Sequence, residues 1–281
     1  MSGAVLTLEA ISPCLHAHQI DCFGILPLSE CRITREYLLH REGIAPSGGC
    51  VLMMALPYRA ADEAPNISHY AVPCDYHLLV GDLLSRVIAQ LKAQFPDGKF
   101  AGYVDHAPID ERHAAAAAGL GMIGDHGLLI TEQYASYVFL CEIISDLPTD
   151  VVGQEIRACM HCGACRRACP VELDKAKCLS ALTQKKGVLT AEEEEMLVTY
   201  RLIWGCDRCQ EICPYTRLAL DEGRLALPHP IFMKDRMAEV RIADIEAMDD
   251  AVFARRAYAW RPRETILRNL RLLACCEKSE P

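Results

Sequence analysis

No stretch of about 18 apolar residues occurs in the chain, so nothing in it reads as a membrane span. The opening MSGAVLTLEA has neither the basic start nor the apolar core of a secretory signal, and the expected location is the cytoplasm. Positive charge is also scarce. Lysine and arginine number 29 against 38 acidic residues, a net charge of -9, which argues against a dedicated nucleic-acid binder. There is no low-complexity tract beyond the alanines at 114–118, and no internal repeat beyond two cysteine runs. What the chain has in excess is cysteine, 16 in 281 residues. In a reducing compartment these are not a disulfide framework. Cys14, Cys22, Cys31, Cys50, Cys74 and Cys141 are scattered and read as small buried apolar side chains, and Cys275 and Cys276 close the chain. The other eight are grouped.

The stretch ACMHCGACRRACPVE (158–172) holds Cys159, Cys162, Cys165 and Cys169 at gaps of two, two and three residues, with Pro170 after the last. Three thiolates at C-x-x-C-x-x-C can wrap one compact turn, and the fourth lies just beyond that site. This is the bacterial ferredoxin run, whose fourth cysteine serves the other cluster. A second run, GCDRCQEICP (205–214), carries Cys206, Cys209 and Cys213, with Cys178 upstream. The spacing therefore predicts two [4Fe-4S] clusters. One takes Cys159, Cys162, Cys165 and Cys213, and the other takes Cys169, Cys178, Cys206 and Cys209. Zinc also accepts paired C-x-x-C but has no use for a triplet with an offset fourth ligand and a proline, repeated. His161 reads as a neighbour of the first cluster rather than a ligand.

Residues 1–145 read as mixed α/β. CVLMMAL (50–56) is a continuous apolar run and predicts a buried strand. DYHLLVGDLLSRVIAQLKAQF (75–95) has apolar residues at 79, 80, 83, 84, 87, 88 and 91, a helical stripe ending before Pro96. KFAGYVD (99–105) predicts a strand, IDERHAAAAAGLG (109–121) a glycine-stopped helix, and GLLIT (127–131) and YVFLCEIIS (137–145) two more strands. Residues 146–155 have linker composition. Thr190 and Glu193 form a capping box ahead of a helix, and the last sixty residues predict short helices. Within them, 255–271 carries six arginines and one glutamate, a basic face expected to be solvated and to pair with the acidic surface. GLGMIG (119–124) matches a dinucleotide fingerprint, but it follows a helix and precedes a strand, the reverse of what that fold needs. It reads instead as a tight backbone corner, one able to approach a flat cofactor closely.

Three stretches together resemble the epoxyqueuosine reductase family, cobalamin and iron–sulfur enzymes of tRNA queuosine modification. They are HYAVPCDYH (69–77), VDHAPIDERHAAAAAGLGMIGDHGLLI (104–130), and the cysteine module with KCLSALTQKKG and WGCDRCQEICP. ASYVFLCEI (135–143) fits as well. Pro73, Asp125 and Cys141 depart from the family pattern.

The resemblance implies an α/β (α+β) fold in three parts. A reductive-dehalogenase- and nitroreductase-like domain (1–150) would hold base-off cobalamin. A ferredoxin-like double-cluster module (151–220) and a short helical segment (221–281) would follow. The chain would be a short member without the family's C-terminal helical-repeat domain, leaving tRNA contact to Arg255–Arg271. The absence of a D-x-H-x-x-G run does not count against a corrin, because the family does without that axial histidine.

By position in the matched motifs, Asp105 would be the proton donor, with its pKa raised by burial. His126, Leu129, Leu140, Ser180 and Asp207 would touch the corrin. The plainer reading of Asp105 is a strand-end cap or an ion pair with Arg112, and of His126 a satisfied histidine at a strand start. Electrons would come from a flavodoxin or ferredoxin, and an epoxide oxygen would be removed reductively. Two other readings stay open. One is a two-cluster electron carrier without corrin. The other is a corrin reductase acting on a small molecule that is not tRNA.

Overall fold

Cys50–Pro57 is buried along its whole length, as a strand covered on both faces must be. This appears in a computed structural model of the chain that describes residues 4–61 and 64–277. The first three residues of the opening stretch and the Cys276 side chain lie outside the described residues. In chain order the first part comprises α1 (Leu8–Ala17), β1 (Phe23–Pro27), α2 (Glu36–Glu42), β2 (Cys50–Pro57), α3 (Tyr76–Gln94), β3 (Phe100–Tyr103), α4 (Glu111–Ala117), β4 (Gly121–Ile123), β5 (Leu129–Thr131) and β6 (Val138–Ser145).

Four strands form an antiparallel sheet in the order β1-β2-β6-β3, and β4 and β5 pair as a separate antiparallel ribbon. The alternation of strand side chains sorts the core. Leu52, Met54, Cys141 and Ile143 pack with Val80, Leu83, Leu84 and Val87 of α3 and Ile11 and Leu15 of α1. Val51, Met53, Ala55 and Ile144 pack on the other side with Leu38 and Leu39 of α2 and Ala114–Ala117 of α4. The alanines let α4 lie close to the sheet. At Gly24 of β1 an added Cβ would sit 2.2 Å from the Ala118 carbonyl oxygen, so only glycine fits there.

The glycine corner at 119–124 closes on its own chain. A Cβ at Gly121 would lie 2.1 Å from the Ile130 carbonyl oxygen, and one at Gly119 would meet Gln154. The close approach at Gly119 and Gly121 is to protein atoms.

The cysteine-rich part adds α5 (Ala164–Ala168), α6 (Leu179–Thr183), α7 (Ala191–Thr199), α8 (Arg208–Glu211) and α9 (Pro214–Asp221). Thr190 and Glu193 form the expected capping box on α7. The C-terminal part is α10 (Ile242–Ala247), α11 (Asp250–Phe253) and α12 (Arg263–Glu277). These helices share a core with earlier segments: Ile245, Tyr258, Ile266 and Leu267 pack with Ala71, Val72, Ile203 and Trp204.

The arginines of 255–271 are largely consumed in holding this arrangement. Arg256 is buried and donates to the carbonyls of Val72 (2.8 Å) and Asp235 (2.6 Å). Arg261 reaches the Gln184 carbonyl, Arg263 those of Ile245 and Met248, and Arg268 those of Lys185 and Gly187. Arg271 pairs with Glu246 and Glu264. The solvated basic face expected from composition is therefore mostly a set of clamps on loop and helix-end carbonyls. Among the described residues no helix is long and apolar enough to cross a membrane.

Candidate active site and cysteine centres

Asp105 follows the end of β3 and adopts the left-handed backbone region (φ 63°). This turns its side chain toward the start of α3. There Asp75 caps the helix by accepting from the His77 amide, and its carboxylate also holds His77 Nδ1 at 2.7 Å. His77 Nε2 then lies 3.1 Å from Asp105 Oδ2, and the Tyr76 hydroxyl donates to the same oxygen. Hydrogen bonds to Asp105 and Asp75 push His77 up to about 10. For Asp105 burial alone would raise the pKa, but the hydrogen bonds from His77 and Tyr76, with the charge on His77, outweigh it and leave Asp105 below its usual value. The expected raised acid is thus an imidazolium–carboxylate pair at rest. The ion-pair partner of Asp105 is His77, while Arg112 donates to the Gly127 carbonyl at 2.7 Å.

Asp105 stands at the edge of an open cavity of about 500 Å³. Leu129 and Leu140 line it, as do Leu128, Val138 and Phe139, while Thr34, Arg35, Glu111, Arg112 and Ser136 add polar groups. Of the residues expected around a corrin, Asp105, Leu129 and Leu140 meet here. His126 does not. It lines a separate hollow with Cys159, Cys162, Cys165 and Cys213. Its Nδ1 accepts from the Leu128 amide, and its Nε2 is buried without a partner.

Ser180 and Asp207 also lie outside the cavity lining. The Ser180 hydroxyl accepts from Gln184 at 3.3 Å. Asp207 is buried and accepts from the Ser68 hydroxyl (2.6 Å), the His69 amide (2.7 Å) and the Gln210 side-chain amide (3.1 Å). Gln210 in turn accepts from the Ser136 hydroxyl at 3.0 Å, so one buried network runs from the second cysteine run to the cavity wall. Tyr76, His77, Ser136 and Gln210 lie within the matched stretches, but the sequence reading gave them no role. A residue next to a helix cap is a weak signal, and their convergence depends on the fold.

The thiols sort into the two sets that the spacing predicts. Cys159, Cys162, Cys165 and Cys213 share the hollow beside His126. In the second set, Cys209 is raised to about 12, first by burial and then by the nearby Cys206, Asp207, Cys169 and Cys178. Four thiols sharing one hollow suit an iron–sulfur cluster, and His126, whose Nε2 lacks a partner, lines the same hollow. His161 pairs with Asp125 at 2.7 Å. Their ligand atoms and the Cys159 sulfur lie within 4.8 Å of one another, but Cys159 already belongs to the first set. The main cavity, with leucine, valine and phenylalanine on its walls and as many polar groups around them, suits a flat macrocycle that carries polar side groups.

An α/β domain with an acid–base cluster at an open cavity, hydrogen-bonded to a module of eight thiols in two quartets, has the build of a redox enzyme. Residues 40–106 match the family model described as epoxyqueuosine reductase QueG, DUF1730. An epoxyqueuosine reductase from Gloeobacter violaceus is 32% identical over 228 residues, covering 76% of this chain and 71% of the relative. One from Pseudomonas aeruginosa is 33% identical over 174 residues, covering 59% of this chain and 48% of its own length. A crystal structure of epoxyqueuosine reductase with an epoxyqueuosine-modified tRNA-Tyr stem loop superposes with a TM-score of 0.76 at 23% identity, over 97% of this chain and 81% of that one. The chain belongs to the epoxyqueuosine reductase family, and so to the oxidoreductases. The mixed α/β architecture expected from the sequence is the fold it shares with that structure.

Proposed function

We propose that the chain removes an epoxide oxygen reductively, with epoxyqueuosine in tRNA as its substrate. The observation that carries this reading is the Tyr76–His77–Asp105 cluster at the edge of a cavity whose wall, through Ser136 and Gln210, is hydrogen-bonded to the cysteine module. Each cysteine quartet would hold a [4Fe-4S] cluster, and the cavity would hold a corrin against Leu129 and Leu140, with Asp105 at its edge. When bound, the clusters supply single electrons and the corrin a strongly reducing metal centre. An external flavodoxin or ferredoxin would deliver electrons at the first quartet, where Cys162 is exposed while Cys165 and Cys213 are buried. The three-part division at 150 and 220 describes these roles.

Loss of the oxygen as water consumes two electrons and two protons. His77 keeps its proton to about pH 10, so at neutral pH a proton is stored one hydrogen bond from Asp105. As negative charge develops on the leaving oxygen, Asp105 passes that proton on and His77 is left neutral. Arg35 and Arg112 line the cavity and offer contacts for nucleic-acid phosphates.

A small substrate is the second reading. It is favoured by the net charge of -9 and by the use of the 255–271 arginines as structural clamps. Turnover of an epoxyqueuosine-bearing tRNA stem loop, compared with the free nucleoside, separates the two. Asp105→Asn should lower kcat by roughly 10² to 10⁴-fold and leave the cluster spectra intact. Full activity in that variant overturns the proton-transfer role.

A further inference from the structure

One charge interrupts the apolar run of β6. Glu142 is fully buried, and neither of its carboxylate oxygens has a hydrogen-bond partner. It sits opposite Met53 of β2 and Tyr103 of β3, so its side chain projects to the α4 side of the sheet. α4 begins with Glu111. Its Oε1 is also buried and unpartnered, and the residue lines the same cavity as Asp105.

The charges facing this pair do not offset it. The groups acting on Glu142 are the carboxylates of Glu111 and Asp105. Arg35 and Arg112, which also donate to the Ala107 and Gly127 carbonyls, lower Glu111, but its burial and the charge of Asp105 outweigh them. Tyr103, Cys31 and Cys141 complete the neighbourhood and are neutral, with Cys31 raised to about 12 first by burial. Two carboxylates in a dry site cannot both be ionised. Burial first and the charge of Asp105 second push Glu111 up to about 7, and burial with the charge of Glu111 drives Glu142 well up.

We propose that Glu111 and Glu142 form a carboxyl–carboxylate pair that keeps one buried proton and delivers it, through Glu111, to the cavity as the second proton of the reaction. The inference rests on the reductive reading above. One proton leaves the His77–Asp105 pair. The other leaves the glutamate pair: an O–H bond breaks at Glu111 and forms on Asp105 or on the departing oxygen, and the pair gains one negative charge. Water at the half-exposed Asp105 refills it.

The test uses infrared difference spectroscopy on the full chain without substrate, in H₂O and D₂O, across roughly pH 6 to 9. A carboxylic-acid C=O band should persist at neutral pH, shift in D₂O, vanish in Glu142→Gln, and change frequency in Glu111→Gln. Both variants replace a carboxyl with a neutral isostere, and the thermal midpoint of each confirms folding. Glu142→Gln should also lower kcat roughly 10²-fold at unchanged KM and bring the alkaline limb of its pH profile to lower pH. Absence of the acid band at neutral pH overturns the proposal, and so does a band whose removal leaves the pH profile unmoved. Full activity in Asp105→Asn would instead sink the reaction reading, which keeps the two failures apart.

Discussion

Arg256→Met tests whether the C-terminal arginines are structural. The side chain is 3% exposed and its guanidinium sits 5.7 Å from the Tyr258 ring. It donates to two carbonyls. The Val72 carbonyl also accepts from the Met237 amide, so it keeps a partner when Arg256 is lost. The Asp235 carbonyl belongs to an exposed residue, so water can take the place of the lost donor. A hydrogen bond to a charged donor is worth about 1.5–3 kcal/mol. The cation–π contact adds about 0.5–1 kcal/mol. Methionine retains the packing of the stem. With the Val72 carbonyl still satisfied, the net loss should be about 2–4 kcal/mol, a fall of roughly 5–10 °C in thermal midpoint. Anaerobic thermal unfolding followed by circular dichroism reads it. The same variant should leave the salt dependence of tRNA-stem-loop binding unchanged, because a buried clamp neutralises no phosphate. A midpoint within about 1 °C of the parent, or a shallower salt slope, would refute the structural assignment.

Other consequences follow from the same geometry. Cys213→Ser should halve the iron content by removing a ligand of the first quartet, leaving the second set's cluster; chemical iron analysis and electron paramagnetic resonance check it. Gly121→Ala should destabilise the chain by about 1–3 kcal/mol, read by thermal unfolding, because the new methyl meets the backbone oxygen of Ile130 rather than a movable side chain. His77 gains a proton-stabilising partner on folding, so its pair with Asp105 is fully formed below the unfolded histidine pKa of about 6.5 and is lost as pH rises through about 10. A nuclear magnetic resonance titration of His77 should show it protonated at pH 8, and Asp105→Asn should bring its midpoint down.

The strands and the long helix were legible because their apolar patterns are unmixed. β2 and β6 are short continuous runs, and α3 carries a full stripe. α1 and β1 were not read. Pro13 lies inside α1, and Phe23–Pro27 has a glycine and a proline in five residues, so tertiary burial rather than local pattern makes them regular. The sorting of thiols was legible from spacing alone, since two interlocked runs leave few ways to group eight ligands. The state of Asp105 was not. Burial predicted a raised pKa, but its partner His77 lies 28 residues away and meets it only when the end of β3 reaches the cap of α3. Composition also misjudged the arginines of 255–271, because charge counting does not see the carbonyls they hold. Glu142 was visible as the lone charge in an apolar strand, whereas its relation to Glu111 needed the sheet register.

The most direct test is electron paramagnetic resonance on anaerobically reconstituted protein, with and without added cobalamin, followed by cobalt analysis after gel filtration. The account predicts two reducible [4Fe-4S] clusters per chain and cobalt that stays with the protein. Clusters without retained corrin would contradict the cavity's role and leave a two-cluster electron carrier as the reading that stands.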